Sequence, residues 1–435
     1  MLQASLLLLL SFFTAFLFLT FAPLSSKNDE DSLGQITGPY TFNLVKWELE
    51  HFFDKWEYQF NLLRDGTDET AQEDYLSDFF ALSLEIEKAK SEQSRIFSSD
   101  AQIESSRKVA LQNELENLTL RHYELGADVE AILEKAISDS LLDLGIIDRI
   151  GPFLWPPVDF TFQEGATLLV RSPKDEIFRL KDVLMRADIN LPTQIKIENA
   201  VEESNQDVSA LVIRIGGLAT YPSQVSPSMS LRSTIDMAIH EWTHHWLFFR
   251  PLGKKWWAGG DIRTINETVA DIVAKEVGEH VYANIQGAQK YDLAINNNRA
   301  DNEVFNFREF MLITRLKLET LLSENRLAES EDWLETRRTE LVNYGFNIRK
   351  LNTAYFAFYG TYATDPRSGE ESPLLKQIEK VRESSSSLSV FLKNISKITT
   401  VEELKKACST KTTLIFLPVR LRIIGIIFSQ SFLFH

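Results

Sequence analysis

Cysteine and histidine are scarce in this chain of 435 residues, which has one cysteine and seven histidines, and basic residues are fewer than acidic ones. A lone Cys408 excludes an internal disulfide framework, so folding does not depend on an oxidising compartment. Lysines and arginines number 46 against 62 aspartates and glutamates, which gives a formal net charge of −16. This charge, together with the lack of a basic stripe, argues against nucleic-acid and anionic-lipid partners.

The rest of the composition is that of a globular protein with long helical patterns. Hydrophobic residues make up 44% of the chain, and its length allows roughly two or three structural units. We expect an α+β chain that is mostly helical. The predicted units are an N-terminal hydrophobic segment (1–26), a helical bundle or stalk (27–150), an α+β lobe with an edge strand (151–229), a helical lobe (230–407) and an apolar tail without an assigned role (408–435).

The N-terminal segment is apolar almost without interruption from residue 2 to residue 24, long enough to span a bilayer. No lysine or arginine precedes it, and the best small-residue cleavage context, at 20–22, is followed by Pro23. We therefore expect an uncleaved membrane anchor with the rest of the chain outside the cytoplasm. A cleaved signal peptide of a secreted protein is the alternative, and a helix buried in the domain is a third.

Three of the seven histidines lie within residues 240–245, which read HEWTHH. In a helix, His240 and His244 are one turn apart on the same face, where both ring nitrogens can reach one metal ion, and Glu241 lies beside them. His245 points about 100° away around the helix, so we expect it to be a neighbour rather than a ligand. This spacing is typical of zinc hydrolases.

A second candidate segment, residues 266–271, reads NETVAD within a run whose apolar positions have helical spacing. Glu267 and Asp271 therefore share a face. A carboxylate on a second helix can complete a site of two histidines and one glutamate, with the fourth position left to water. Asp271 is placed to accept a hydrogen bond from the distal ring nitrogen of a liganding histidine.

Each of these residues also has a plainer interpretation. The paired histidines can be hydrogen-bonded core residues of a buried helix, and Glu267 can belong to an acidic surface row on its helix. Trp256 and Trp257 can line the rim of a substrate site, but core or interface packing is the favoured interpretation.

HExxH followed by NExxxD resembles the gluzincin division of the zincin metallopeptidases, the thermolysin-like arrangement, over residues 205 to 280. A metzincin would need glycine and histidine where this chain has Leu247 and Arg250, so that class is excluded. The resemblance implies a zincin-like catalytic domain with a small mixed lobe and a helical lobe. It also implies roles for particular residues: zinc ligands His240, His244 and Glu267, general base Glu241, and Asp271 as the hydrogen-bonding partner of a ligand.

Two further features follow from the same resemblance. Gluzincins have an edge strand beside the metal with which a peptide can pair, and residues 209–215 alternate as a strand that runs into Gly216 and Gly217. Gluzincins also use a tyrosine or histidine from the downstream helical lobe to stabilise the oxyanion. Histidine is nearly absent there, so Tyr355 and Tyr359, one helical turn apart, are the candidates. The choice between them stays open, and aromatic core packing is the alternative for each.

The mixed lobe is predicted in more detail from its local patterns. We expect strands at 159–162 and 167–171, a helix near 175–186 and a further strand around 194–197.

The function expected from these features is a membrane-tethered zinc metallopeptidase that acts on peptide or protein substrates, with Zn²⁺ as its cofactor. One alternative is a non-catalytic relative whose structural zinc site supports binding of a protein partner at the membrane. Glu241 argues against it, because a structural site needs no base and usually closes with a fourth protein ligand. A zinc hydrolase of small esters or amides is the other alternative, since it shares every residue named here.

Overall fold

The protein is described by a computed structural model over residues 30–44, 46–47, 69–98, 105–147, 149–150, 153–285, 288, 305–346, 348–369 and 372–409. This part of the chain is mostly helical, with small sheets of two, three and three strands. The expected α+β, mostly helical class is therefore confirmed. The predicted N-terminal segment (1–26) and nearly all of the tail (408–435) lie outside the described residues. Within the ranges given above, no helix has the length and apolar character needed to cross a membrane.

A long helical hairpin forms most of the region predicted to be helical. After α1 (Glu30–Thr37), it consists of α2 (Glu69–Ser98) and α3 (Ser105–Asp143). Ile86 and Leu115 belong to an apolar cluster between these two helices. The opposite end of the hairpin joins the main core through Leu76, Phe79, Phe80, Val129, Leu133, Ile137 and Leu141.

An antiparallel sheet follows, in the strand order β5–β4–β6. Its strands are β4 (Thr167–Pro173), β5 (Val183–Met185) and β6 (Val208–Arg214). Helix α4 (Leu191–Ser204) covers one face, where Val212 belongs to an apolar cluster with residues of this helix. Leu211 points the other way and packs with residues of the C-terminal half. Successive side chains of a strand point to opposite faces, so these two contacts show that both faces of the sheet are covered.

A second small sheet leads into the helices that carry the two motifs. After the β1 (Arg149–Ile150) and β2 (Phe153–Leu154) pair, β3 (Phe160–Phe162), β8 (Ser223–Val225) and β7 (Gly217–Leu218) form a sheet in that order. Strand β3 is parallel to β8, and β7 is antiparallel to it. Within the described residues, β7 is therefore a terminal strand of its sheet.

The HExxH and NExxxD motifs lie on two helices that pack against each other, α5 (Leu231–Phe248) and α7 (Gly260–Asn284). Ser230 caps the start of α5, because its Oγ accepts a hydrogen bond from the main-chain nitrogen of Ser233 at 3.1 Å. The short helix α6 (Pro251–Lys254) and a 3₁₀ turn, Trp256–Ala258, connect the two. Their facing sides are fully buried at Ile235, Ile239, Ile265, Val269, Val273 and Val277.

The C-terminal half adds two helical groups around this pair. Helix α10 (Thr353–Tyr359) packs on strands β4 and β6, and helices α8 (Phe307–Ser323) and α9 (Leu327–Asn343) pack together beside it. The last three helices, α11 (Pro373–Glu383), α12 (Leu388–Ile395) and α13 (Val401–Ser409), join the main core. Helix α11 lies directly on α7.

Two predicted elements of the mixed lobe are wrong. Residues 175–186 contain no helix; they follow β4 and end in β5, and the main-chain nitrogen of Leu180 donates to the carbonyl of Arg171 at 3.0 Å. Residues 194–197 are not a strand but part of α4. The start of α4 is set by Asn190, whose Oδ1 accepts from the main-chain nitrogen of Thr193 at 3.0 Å.

Candidate metal centre

Helices α5 and α7 bring His240, His244 and Glu267 together at one point. The two Nε2 atoms are 3.1 Å apart, and Oε2 of Glu267 lies 3.2 Å from Nε2 of His240 and 3.4 Å from that of His244. His240 and Glu267 are buried, and the side chain of His244 is 15% exposed. These three residues form a group that can hold a metal ion.

The other ring nitrogen of each histidine has a partner on α7. Nδ1 of His240 lies 2.9 Å from Oδ1 of Asp271, and Nδ1 of His244 lies 2.9 Å from Oδ1 of Asn266. A carboxylate and an amide oxygen only accept hydrogen bonds, so both Nδ1 atoms donate. In a neutral imidazole the Nε2 lone pairs are then directed at the shared point, as in metal-ligating histidines.

Three electron-pair donors so close together need a positive charge between them. When no metal is bound, protons supply it: burial alone would lower the pKa of His240, but hydrogen bonds with Asp271 and Glu267 raise it well above its usual value. A metal ion bound at the same point displaces those protons. The donor set of two imidazoles and one carboxylate therefore fits a metal site.

Glu241 lies beside this group but is not part of it. Its side chain is buried, and it faces the backbone of Gly217 in β7. A Cβ atom at position 217 would overlap Oε1 of Glu241 and Sδ of Met237. The absence of a Cβ at Gly217 thus lets the Glu241 carboxylate pack closely against the backbone of a strand.

Burial and neighbouring charge act in opposite directions on the two glutamates. Burial raises the pKa of Glu241, and the charges of the two histidines only partly offset this. Burial would also raise the pKa of Glu267, but the charges and hydrogen bonds of His244 and His240 hold it well below its usual value. Glu267 is therefore ionised, as a ligand must be, while Glu241 is closer to taking up a proton.

A further layer of hydrogen bonds fixes the carboxylates. Nε1 of Trp256 donates to Oε1 of Glu267 at 3.2 Å, so this indole contacts a member of the metal group directly. Thr364 donates from its hydroxyl to Oδ2 of Asp271. Both oxygens of Asp271 are thus engaged, one by His240 and one by Thr364.

Tyr355 and Tyr359 belong to a different part of the molecule. Their rings pack at an interplanar angle of 51° with centroids 4.5 Å apart, and Oη of Tyr359 accepts a hydrogen bond from Nη1 of Arg367 at 3.2 Å. Both residues line a cavity of about 350 Å³ beside β6, whose lining includes no member of the metal group. Burial raises the pKa of both tyrosines, the charge of Arg367 opposes this shift, and that of Asp365 adds to it.

Tyr362 is the tyrosine that lies by the metal group. Burial raises its pKa well above the usual value, and the charges of Glu267, Glu241 and Asp271 raise it further. The backbone on either side of it is anchored, because Thr361 accepts from Nη1 of Arg179 at 2.9 Å and Thr364 donates to Asp271. Tyr362, the third tyrosine of the same segment, is therefore a further candidate beside Tyr355 and Tyr359, which the sequence singled out.

The outer edge of β6 is largely occupied, contrary to the expectation that a peptide could pair along it. The main-chain nitrogens of Ala210 and Val212 donate to Glu202 and Glu198 at 2.8 and 2.6 Å. Their carbonyls accept hydrogen bonds from Asn352 and Arg349 at 3.1 and 3.2 Å. Glu241 instead packs against Gly217 of β7, which is a terminal strand of its sheet among the described residues.

No protein-family model, curated protein or solved structure matches the chain. The resemblance to gluzincins therefore rests on the two sequence motifs.

Proposed function

We propose that the protein is a zinc-dependent metallopeptidase with a gluzincin-like centre. The observation that carries this proposal is the convergence of His240, His244 and Glu267 with an unliganded glutamate, Glu241, one residue along from the first histidine. A buried group of two histidines and one carboxylate is suited to binding a metal ion. A histidine pair that only packs in a core does not need a second helix to supply an ionised carboxylate to it.

Zinc is the metal that suits these donors best. In a tetrahedral site with bonds of about 2.0–2.1 Å, ligand atoms lie about 3.3 Å apart. The three separations here are 3.1, 3.2 and 3.4 Å. Two imidazoles and one carboxylate also form the ligand set of catalytic zinc sites, whose fourth position is left to water or substrate. A bound Zn²⁺ supplies Lewis acidity to a substrate carbonyl and lowers the pKa of a water molecule.

The chain's own residues then carry the proton transfers. Glu241 accepts a proton from the attacking water and passes it to the leaving amine. Its raised pKa brings the carboxylate closer to the working pH, which favours both halves of this transfer. Gly217 keeps the carboxylate in place from one side.

Tyr362 is the proposed donor to the oxyanion that develops on the substrate carbonyl. Its hydroxyl has no hydrogen-bond partner within the described part of the chain, so it is available to a substrate. A phenol with a raised pKa stays protonated at neutral pH and keeps its hydrogen for donation.

A peptide substrate would pair with the outer edge of β7 at Gly217, since the carbonyl of Leu218 already accepts from the main-chain nitrogen of Thr220 at 2.7 Å. This strand is short, and its first residue, Gly217, touches the Glu241 side chain. Main-chain pairing there would place a peptide bond near both the glutamate and the metal group, as in other cases of strand addition. In this proposal the sheet of β4–β6 belongs to the small lobe of a zincin-like domain, and helices α5 and α7 to the helical lobe.

The non-catalytic alternative requires a closed structural site. Among the described residues the group has three protein ligands, and a structural zinc site usually has four. A group of three protein donors leaves a coordination position open, which supports the hydrolytic proposal over the structural one. We retain the proposal that residues 1–26 anchor the protein to a membrane with the catalytic unit outside the cytoplasm.

The experiment that tests the proposed function is a peptide-library digest with the zinc-loaded full chain and its Glu241→Gln variant. We expect cleavage by the wild type and a loss of roughly 10²–10⁴-fold in the variant, with the metal retained. Cleavage of small esters alone, without any peptide, would favour the esterase alternative. Equal cleavage by both proteins would remove Glu241 from the mechanism.

A further inference from the structure

A cluster of two arginines and one aspartate lies one helical turn from the metal group. Nε of Arg179 donates to both carboxylate oxygens of Asp182 at 3.1 Å. Nη1 of Arg263 approaches the same carboxylate at 3.5 Å. One carboxylate thus faces two guanidinium groups, and the cluster holds one positive charge in excess.

The two arginines differ in how fully they are bonded. Besides Asp182, Arg179 donates from Nη1 to Thr361 at 2.9 Å, and its guanidinium lies 4.8 Å from the ring centre of Phe358. Nε of Arg263 is buried and has no hydrogen-bond partner among the residues that the structure describes. Buried donors are nearly always paired, and an unpaired one costs folding free energy. Arg263 therefore has donor capacity to spare, and because its side chain is 16% exposed, its Nη nitrogens rather than the enclosed Nε are the donors that a ligand can reach.

Trp256 connects Arg263 to the metal group. The guanidinium of Arg263 lies 4.5 Å from the ring centre of Trp256, and the indole nitrogen of the same ring donates to Glu267 at 3.2 Å. Arg263 and Glu267 are also four residues apart on α7, so they share a face of that helix. The spare donors of Arg263 thus lie on the side of α7 where a substrate of the metal centre would bind.

We propose that Arg263 binds a carboxylate of the substrate, so that the enzyme prefers peptides with a negative charge close to the scissile bond. This inference rests on the proposed peptidase function. The planar guanidinium fork matches a carboxylate with two parallel hydrogen bonds, which also balances the excess charge of the cluster. With a net charge of −16 the rest of the chain repels anions, so a local cation is needed to select one.

A set of matched peptides tests the preference without any change to the protein. One cleavable sequence is made with a free C-terminal carboxylate or an amide, and separately with glutamate or glutamine beside the scissile bond. We expect kcat/KM to be about 10- to 100-fold higher for the charged member of one pair, mainly through a lower KM. The pair that shows the difference identifies the source of the carboxylate. Equal kcat/KM within both pairs would overturn the proposal.

Variants then assign the preference to Arg263. Arg263→Gln should reduce the ratio of kcat/KM between the charged peptide and its neutral counterpart to about one, whatever its effect on the neutral peptide. Arg263→Lys keeps the charge without the fork, and it should retain only part of the preference. Arg232→Gln, on the exposed side of α5, is the matched control and should keep the full preference. A full preference in Arg263→Gln, or in Arg263→Lys if the glutamine variant does not fold, would contradict the assignment.

A binding measurement separates this inference from the proposed function. Zinc-loaded Glu241→Gln is titrated calorimetrically with the charged and the neutral peptide. At least tenfold tighter binding of the charged peptide, lost in the double variant with Arg263→Gln, supports the carboxylate site even if the wild type cleaves no peptide. Equal affinities for the charged and the neutral peptide would rule out the carboxylate site even if the wild type proves to be a peptidase.

Discussion

Nδ1 of His240 donates a hydrogen bond to Oδ1 of Asp271 at 2.9 Å, across the interface between α5 and α7. The two motifs of the sequence are thus joined by a direct contact in addition to their shared metal group. Thr364 donates to the second oxygen of Asp271, which ties the segment that carries Tyr362 to the same point. One aspartate therefore contacts both a member of the metal group and the segment that carries Tyr362.

Asp271→Asn should weaken zinc binding by about 10–100-fold and leave the fold intact, because an amide holds the His240 ring less firmly than a carboxylate does. Competition with a chromogenic zinc chelator measures the affinity. Asp261→Asn, at an exposed position on the same helix, is the control and should bind zinc like the wild type. An unaltered zinc affinity in Asp271→Asn would show that the contact with His240 does not support the site.

Gly217→Ala should retain zinc and lose activity by about 100-fold, because the new Cβ displaces the Glu241 carboxylate and small displacements at a reacting centre have effects of this size. Metal content and peptide turnover are measured on the same preparation. Gly126→Ala is the matched substitution, since a Cβ there meets only Phe162, at 3.9 Å. Full activity in Gly217→Ala would mean that the position of Glu241 is not important for turnover.

Tyr362→Phe should lower kcat by roughly 10²–10³-fold with little change in KM, as expected for the loss of one oxyanion donor. Tyr359→Phe removes the same hydroxyl from a residue that bonds Arg367 beside β6, and it should leave kcat unchanged. The two variants are compared by steady-state kinetics on one peptide. The reverse ranking would return the role to Tyr359.

We expect His122 to make the stability of the helical hairpin depend on pH. It is buried, its Nε2 lies 2.8 Å from Oγ of Ser83, and burial lowers its pKa to about 4. An unfolded histidine has a pKa of about 6.5, so between these values only the unfolded chain takes up the proton. This contribution to stability is present above pH 6.5 and is lost as pH falls toward 4, by at most about 3 kcal/mol.

The measurement for this prediction is chemical unfolding of wild type and His122→Gln at pH 6.5 and at pH 4.5. Other groups titrate in both proteins, so the difference between their pH slopes isolates His122. We expect the wild type to lose more free energy of unfolding on acidification than the variant. Equal losses would place the pKa of His122 near its ordinary value.

Much of the metal group could be predicted from sequence because it depends on helical periodicity alone. The four-residue spacings within HExxH and NExxxD put the side chains on common faces, and burial of the same faces packs the two helices together. The same reasoning applied to 175–186 predicted a helix and was wrong. There, main-chain hydrogen bonds to β4 and the ion pair of Arg179 with Asp182 stabilise an extended path that the local sequence does not indicate.

The contacts that sequence reasoning missed are those between residues far apart in the chain. Trp256 bonds Glu267, and Thr364 bonds Asp271, but neither pair has a spacing that marks it. Tyr362 lies just beyond the end of α10. The i, i+4 spacing that singled out Tyr355 and Tyr359 therefore selected the face that packs beside β6. Asn266, by contrast, was visible as the first residue of NExxxD, and its bond to His244 was not foreseen.

The central claim is that one zinc ion at His240, His244 and Glu267 makes the protein a peptidase. The most direct measurement is a titration of the metal-free full chain with Zn²⁺ while peptide hydrolysis is followed. We predict activity that rises in proportion to added zinc and saturates at one equivalent, with no activity and no stoichiometric zinc in His240→Ala. Hydrolysis that is independent of zinc, or one bound equivalent of zinc in His240→Ala, would contradict the account.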